Sequence, residues 1–254
     1  MSYTSADILI TTFNRPETLE LVLQSLQFQT VAPRSVIIAD DGSNESTQHL
    51  IREWQEKLHV IHCWIPDNGF RAARSRNIAL KKVSTDYVIM IDGDCVVPPT
   101  FVEAHLALAA DNKIIAGGRH LLDQQKTSSI LKSELSSSSE IFRPIKFLRL
   151  RLGILRDMSP NHWNSVRTCN LSAPLKLIKA INGFDESYVG WGREDTDFVI
   201  RLTRTNARIR SGRFAAAVCH LWHPEAPRTQ LSLNDDKLNR LLSNDSLLPT
   251  KSCL

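Results

Sequence analysis

The sequence predicts an α/β fold built on a parallel sheet with both faces covered. Short runs of near-continuous apolar residues alternate with stretches of helical spacing, which is how strands buried on both faces read. The runs end in polar or acidic residues, "TTFNR", "ADDGSN" and "IDGD", so the carboxyl ends of the strands gather chemistry on one side. The chain has 254 residues, 42% hydrophobic and 23% charged, sufficient for a sizeable core in one large α/β domain or two small ones.

The first strand is Ile8 to Thr11, followed by a loop with Asn14 and Arg15. Pro16 suits the first turn of a helix, and Leu19, Val22, Leu23 and Leu26 continue it at helical spacing. "SVIIADDGSN" is a second strand ending in Asp40 and Asp41, with Ser43 or Asn44 as cap for a helix over 45–57. "HVIHCWI" is a third strand, "GFRAARSRNIALKKV" a helix and "DYVIMIDGD" a fourth strand. A helix over about 99–110 and a strand at "KIIAGGR" follow. "TSSILKSELSSSSE" is Ser-rich and reads as a mobile loop. "VRTCNLSAPLKLIKAINGF" supplies a strand and a helix closed by Gly183. "REDTDFVIRLTRTN" is a helix with acids in its first turn and Arg201 and Arg204 later, as the helix dipole favours. "GRFAAAVCHLWHPEAP" is a last strand running into a loop with two histidines. In the tail, Leu238, Leu241 and Leu242 fall at helical spacing, for packing on the body or on a partner.

Several classes are disfavoured. No apolar run approaches the roughly 20 residues that span a bilayer, and "MSYTSADILI" lacks the pattern of a signal peptide. Five scattered cysteines without a CxxC favour thiols in a reducing cytoplasm over a disulfide framework. The net charge of +4 sits in residues 141–158, where five basic residues face one acid, while 26 basic and 26 acidic residues cancel elsewhere. Without a basic-aromatic stripe, nucleic-acid binding is not expected. The basic, apolar 141–158 stretch suits either a peripheral contact with anionic lipid or a segment packed on the core with snorkelling arginines.

Three strings carry the chemistry. Asp92 and Asp94 lie two apart, on one side of an extended chain, and Gly93 between them lets a ligand approach the backbone. Such a pair suits a hard divalent cation, although a lone D-x-D is more often a solvated turn. In "GWGREDTDF", Glu194 and Asp195 open a helix whose dipole favours their ionised forms, as a general base needs. Gly190 and Gly192 flank Trp191, an aromatic platform for a sugar ring; the plainer reading is acid capping and a core Trp. In "HLWHPEAP", His220 and His223 are possible metal ligands or two surface histidines.

Together these strings resemble family 2 glycosyltransferases of the GT-A fold, specifically the bacterial lipopolysaccharide or capsule type with a galactosyltransferase-like C-terminal region. "TTFNRPETLELVLQSLQFQT", "VIIADDGSN", "DNGFRAARSRN", "DYVIMIDGDCVVP", "NGFDESYVGWGREDTDFVIRL" and "HLWHPEA" occur in the family's order across most of residues 6–228. The resemblance implies a Rossmann-like nucleotide-binding half (about 1–118) with a mixed central sheet, a variable segment (119–165), an acceptor half (about 166–230) and a tail (231–254). It implies that Thr11, Phe13, Asn14 and Arg15, with Asp40 or Asp41, line the nucleotide pocket, joined by Asn68, Arg71 and either Arg74 or Arg76. Asp92, Gly93 and Asp94 match the D-x-D motif, with Asp94 the direct ligand of Mn²⁺ or Mg²⁺. His223 matches the metal-binding histidine, with His220 beside it. Asp195 matches the base, next to Glu194. The implied reaction is inverting transfer of a hexose or N-acetylhexosamine from a UDP-sugar to a hydroxyl of a glycan or lipid-linked glycan. Arg193 departs from the family's WGGED string, where a second glycine is usual. A glycoside hydrolase also uses paired carboxylates, but has no need of a D-x-D or a nucleotide crevice.

Overall fold

The computed structural model describes residues 3–132 and 163–254. The basic 141–158 stretch and the Ser-rich 133–140 lie outside the described residues. The first four strands, β1 (Asp7–Thr12), β2 (Val36–Asp40), β3 (Val60–Trp64) and β4 (Tyr87–Asp92), pair in parallel in the order β3-β2-β1-β4. The sheet continues through β7 (Asn170–Pro174), β6 (Lys113–Leu121) and β8 (Arg208–His220) to the two-residue β5 (Cys95–Val96). It is mixed: β7 runs antiparallel to β4 and β6, and β5 antiparallel to β8. A purely parallel reading of the apolar runs therefore fails at β7, because full burial marks both strand types alike.

Helices cover both faces. Alternation along β1 sends Ile8 and Ile10 into one layer with Leu19, Val22 and Leu23 of α1 (Pro16–Gln27) and Ile51 of α2 (Glu45–Trp54). Leu9 goes into the other, with Ala79 and Leu80 of α3 (Ala72–Leu80), Ile178 of α6 (Leu175–Ala180) and Phe198 of α7 (Glu194–Arg204). Asn44 caps α2, its side chain accepting from Thr47 N at 3.4 Å. α4 is Phe101–Leu108. Part of the expected Ser-rich loop is instead α5 (Gln124–Lys132), begun where Asp123 accepts from Lys126 N at 2.8 Å. A cap of that kind outweighs the modest helix penalty of serine.

Two features fix the far half of the sheet. Asn170 is buried and gives its amide to Gly118 O and Ala216 O, both at 2.8 Å, bridging β6 and β8 at their register shift. A Cβ on Gly117 would lie 2.2 Å from that amide, so only glycine fits there. His105 donates from Nε2 to Asn170 Oδ1 (3.1 Å) and, as a neutral ring, accepts at Nδ1 from Ser172 Oγ (2.7 Å) inside the core. Burial pushes His105 down to about 4, so it is neutral at ordinary pH. The sheet also curls. Only Gly93 and Asp94 separate β4 from β5, yet β5 pairs with β8 at the opposite edge of the strand order. The curl brings the end of β8 against the turn after β4.

Candidate active site

That closure assembles the first constellation. Cys95 and Val96 pair with His220 and Cys219, and Leu221 N donates to Asp94 O at 2.9 Å. Asp94 consequently faces two imidazoles: its Oδ1 lies 3.5 Å from His220 Nε2 and its Oδ2 3.2 Å from His223 Nε2. Arg15, from the loop after β1, reaches Asp94 Oδ2 at 3.5 Å. Burial works against ionisation of Asp94, but the His223 hydrogen bond and the charges of His220, His223 and Arg15 overcome it and hold its pKa below the usual range. His223 Nδ1 donates to Pro224 O at 2.8 Å, which fixes the ring and leaves Nε2 facing Asp94. Asp94, Cys95 Sγ and His220 bring ligand atoms within 4.8 Å of one another, a donor set a divalent cation can use, and His223 Nε2 stands 3.2 Å from Asp94 Oδ2.

Asp92 has a different environment. Gly93 and Asp94 form a turn, so the two acids do not share one side of an extended chain. Arg76, 5% exposed, gives Nη2 to Asp92 Oδ1 (3.5 Å), Nη1 to Glu194 Oε1 (3.1 Å) and Nε to Thr11 Oγ1 (2.9 Å). One guanidinium thus ties the turn after β4, the end of β1 and the start of α7 together, as its five-donor fork allows. Arg74 is exposed and its charge acts on Glu186 and Cys253, away from this crevice. Gly93 N donates to Thr11 O at 2.8 Å, and a Cβ there would sit 3.1 Å from Thr12 Oγ1. This glycine therefore lets the turn pack on β1.

The loops after β1, β2 and β3 form a second wall. Asn14, at φ 50°, gives its N–H to Ser43 Oγ (2.9 Å) and accepts from Asn44 N (2.8 Å). Phe13 is 44% exposed beside them. The two acids after β2 divide their work. Asp40 is fully occupied within the protein, accepting from Gly42 N and Ser43 N and meeting His62 Nε2 at 2.8 Å. Asp41 Oδ2 accepts from Arg71 N (2.7 Å), but its buried Oδ1 has no hydrogen-bond partner among the described residues. Arg71 Nε holds Asn68 O at 3.2 Å. Burial raises Asp41 from 3.8 to about 6, against the pull of the Arg71 hydrogen bond and the Arg76 charge. Between those pH values the folded chain keeps a proton that the unfolded chain has lost. The contribution of Asp41 to stability is therefore greatest below the lower value and declines as pH rises to the upper one. Asp41→Asn is expected to stabilise the chain by about 2 kcal/mol above pH 6 and by little near pH 4. Urea denaturation at the two pH values checks this, and equal gains at both would show that burial of the charge is not the cause.

The loop leading into α7 lies against the loop before α3. Gly190 and Gly192 have φ of 78° and 103°, and Trp191 between them is 37% exposed. Gly190 N donates to Phe70 O at 3.0 Å, which joins this loop to the one before α3. Arg228, five residues after His223, lies over the Trp191 ring at 4.7 Å. The helix dipole does not decide Glu194: burial and the neighbouring Asp195 raise its pKa despite Arg76. Asp195 keeps more exposure, its side chain at 15%, and has Arg167 Nε at 3.9 Å from Oδ2. Arg201 is fully buried, bonded to Asp197 Oδ1 (2.6 Å), Ile181 O (2.9 Å) and Gly183 O (2.8 Å), so it braces the loop from behind. Arg167 and Arg228 escaped sequence reasoning because neither lies in a string whose chemistry is readable locally.

Comparison with known proteins finds relatives in sequence and in fold. The profile of Glycosyl transferase family 2 matches residues 7–168, and that of the N-terminal domain of galactosyltransferase matches residues 154–224. Validoxylamine A glucosyltransferase of Streptomyces hygroscopicus subsp. limoneus is 29% identical over 95% of this chain and 57% of its own length. Hyaluronan synthase of Pasteurella multocida is 30% identical over 78% of this chain and 22% of its own. The chain thus spans little more than half of the first and about a fifth of the second. The S. aureus TarS 1–349 structure in complex with UDP superposes with a TM-score of 0.65 at 16% identity, covering 94% of this chain and 72% of that one.

Proposed function

The chain belongs to glycosyl transferase family 2 and has the GT-A fold, and from that premise we propose that it moves a sugar from a UDP-sugar to a hydroxyl of a glycan, with inversion. The observation that carries the reading is the meeting at Arg76 of the turn after β4, which sets Asp94 against His220 and His223, with the start of α7, which carries Glu194 and Asp195. Asp41, through the Oδ1 that has no partner among the described residues, and Phe13 hold the nucleobase, with Asn14 and Asn68 shaping the loops around it. Arg15 and Arg71 face the diphosphate, whose growing charge they meet with charge-assisted hydrogen bonds. A Mn²⁺ or Mg²⁺ held by Asp94, His220 and His223, when bound, supplies Lewis-acid stabilisation of that charge. Asp195 takes the proton of the acceptor hydroxyl as its oxygen attacks C1 opposite the leaving group. Arg167 stands beside Asp195, its Nε 3.9 Å from Oδ2, and Trp191 offers its ring to the apolar face of a sugar. Glu194 and Asp92, tied to Arg76, hold the two halves at their separation.

UDP as the nucleotide is supported by the TarS complex, and a glycan acceptor by the hyaluronan synthase relative. A bacterial surface glycan, of the lipopolysaccharide or capsule kind, is the acceptor class the reading favours, handled on the cytoplasmic side. Among the described residues no helix is long and apolar enough to cross a membrane.

Screening UDP-Glc, UDP-Gal, UDP-GlcNAc and UDP-GalNAc with Mn²⁺ tests the proposal. UDP release is expected from one or two donors and is expected to stop when EDTA is added. Cleavage of simple glycosides without any nucleotide would make the chain a hydrolase, and binding of UDP-sugars without release would make it a non-catalytic module.

A further inference from the structure

We propose that helix α8 (Leu231–Leu242) is a fixed clamp on the Trp191 loop, with Asn234, Asp235 and Arg193 as positioning residues for the acceptor side; this rests on the glycosyltransferase reading. Asn234 is 1% exposed, and its Nδ2 donates to Val189 O (3.1 Å) and Gly192 O (3.0 Å), one carbonyl on each side of Gly190 and Trp191. Asp235 pairs with the Arg193 guanidinium, and Lys237 Nζ reaches Ser187 O. The clamp also explains the two glycines beyond their positive φ. A Cβ on Gly190 would lie 2.6 Å from Gln230 Cβ, and one on Gly192 would lie 3.0 Å from Leu231 Cδ1.

The helix is itself anchored. Leu238 and Leu241 are buried with Ile200 of α7, and Arg204 donates to Leu241 O, Asn244 O and Ser246 O. Farther on, Thr250 N and Lys251 N donate to Asp185, at the other end of the loop. The tail therefore packs on the body, and both ends of residues 185–193 are gripped by it.

Arg193 makes the grip consequential. It sits at φ 78° immediately before Glu194 and Asp195, a left-handed conformation unfavourable for a residue with a Cβ. Where the family's WGGED string has glycine, this chain has an arginine with a partner on α8. The strain is held by that partner, and the same contacts set where α7 begins. Orienting Trp191 and Asp195 together fixes the platform and the base relative to one another, which is the condition for a near-attack geometry. A loop with two glycines and no clamp would have to be ordered at every acceptor encounter.

Hydrogen–deuterium exchange with UDP and Mn²⁺ as probes tests the clamp. Asn234→Ala is expected to raise exchange of the 187–193 amides about tenfold while leaving β1–β4 unchanged and UDP affinity within twofold. Asp235→Arg alone is expected to do the same, and the double exchange Arg193→Asp with Asp235→Arg to restore most of the protection. A loop whose exchange does not change in Asn234→Ala, or a double exchange that rescues nothing, would overturn the clamp. Global unfolding is excluded by the β1–β4 amides in the same spectra. If wild-type chain binds no UDP, the glycosyltransferase reading falls while the exchange data still decide the clamp.

Discussion

Asp195→Asn is expected to lower sugar transfer by about 10²–10⁴-fold, the range over which a positioned general base acts, with UDP affinity unchanged. The asymmetry follows from where Asp195 sits. It is at the start of α7, apart from the Asp94, His220 and His223 group, and is not itself bonded to Arg76. Arg167 Nε lies 3.9 Å from its Oδ2, too long a contact to immobilise the side chain. Asparagine keeps the shape and can still accept from Thr196 Oγ1, which donates to Asp195 Oδ1 at 3.3 Å, while losing the proton acceptor. Glu194→Gln gives the contrast. Glu194 is buried against Arg76, so the amide removes one partner of a buried pair and is expected to destabilise the chain by about 3 kcal/mol. Thermal unfolding and steady-state kinetics on both variants separate the two acids. Full transfer activity in Asp195→Asn would remove it from the base role, and a fall in both UDP affinity and transfer would mean a collapsed site.

Much of this fold was readable because its strands announce themselves. β1 to β4 are apolar runs ending in the residues that line the crevice, and parallel pairing follows from the helices between them. What the sequence hid was long-range. Nothing in "DCVV" says that two residues after the acid turn pair with β8 and become the far edge of the sheet, yet that pairing brings His220 to Asp94. The sorting of Asp40 from Asp41, and of Arg76 from Arg74, likewise depends on which way each side chain is buried. Arg76 looks like any helix arginine until Asp92, Glu194 and Thr11 arrive from three other segments. Arg201, which reads as a dipole partner near the end of α7, is fully buried because Asp197 lies one turn before it and two orphan carbonyls face it. The tail was the least legible, since leucines at helical spacing say that a helix packs but not on what.

The same hidden closure makes Asp94→Asn the other large effect. Asp94 is the acid between His220 and His223, so its amide leaves two imidazoles and Arg15 around a neutral group. Loss of one anionic ligand from such a donor set is expected to weaken Mn²⁺-dependent UDP binding by about 10²-fold or more. His223→Ala removes an imidazole whose Nδ1 is already committed to Pro224 O, and is expected to weaken it by about 10–100-fold. Asp92→Asn behaves differently under this reading. Asp92 is bonded to Arg76 and burial raises its pKa, so its variant is expected to alter stability before it alters the metal response. Calorimetric titration of UDP with and without Mn²⁺ orders the three. The order expected is Asp94 first, His223 next and Asp92 last. If Asp92→Asn abolished the Mn²⁺ response while Asp94→Asn kept it, the ligand would be Asp92, and the β5–β8 closure would serve only to seal the core beneath it.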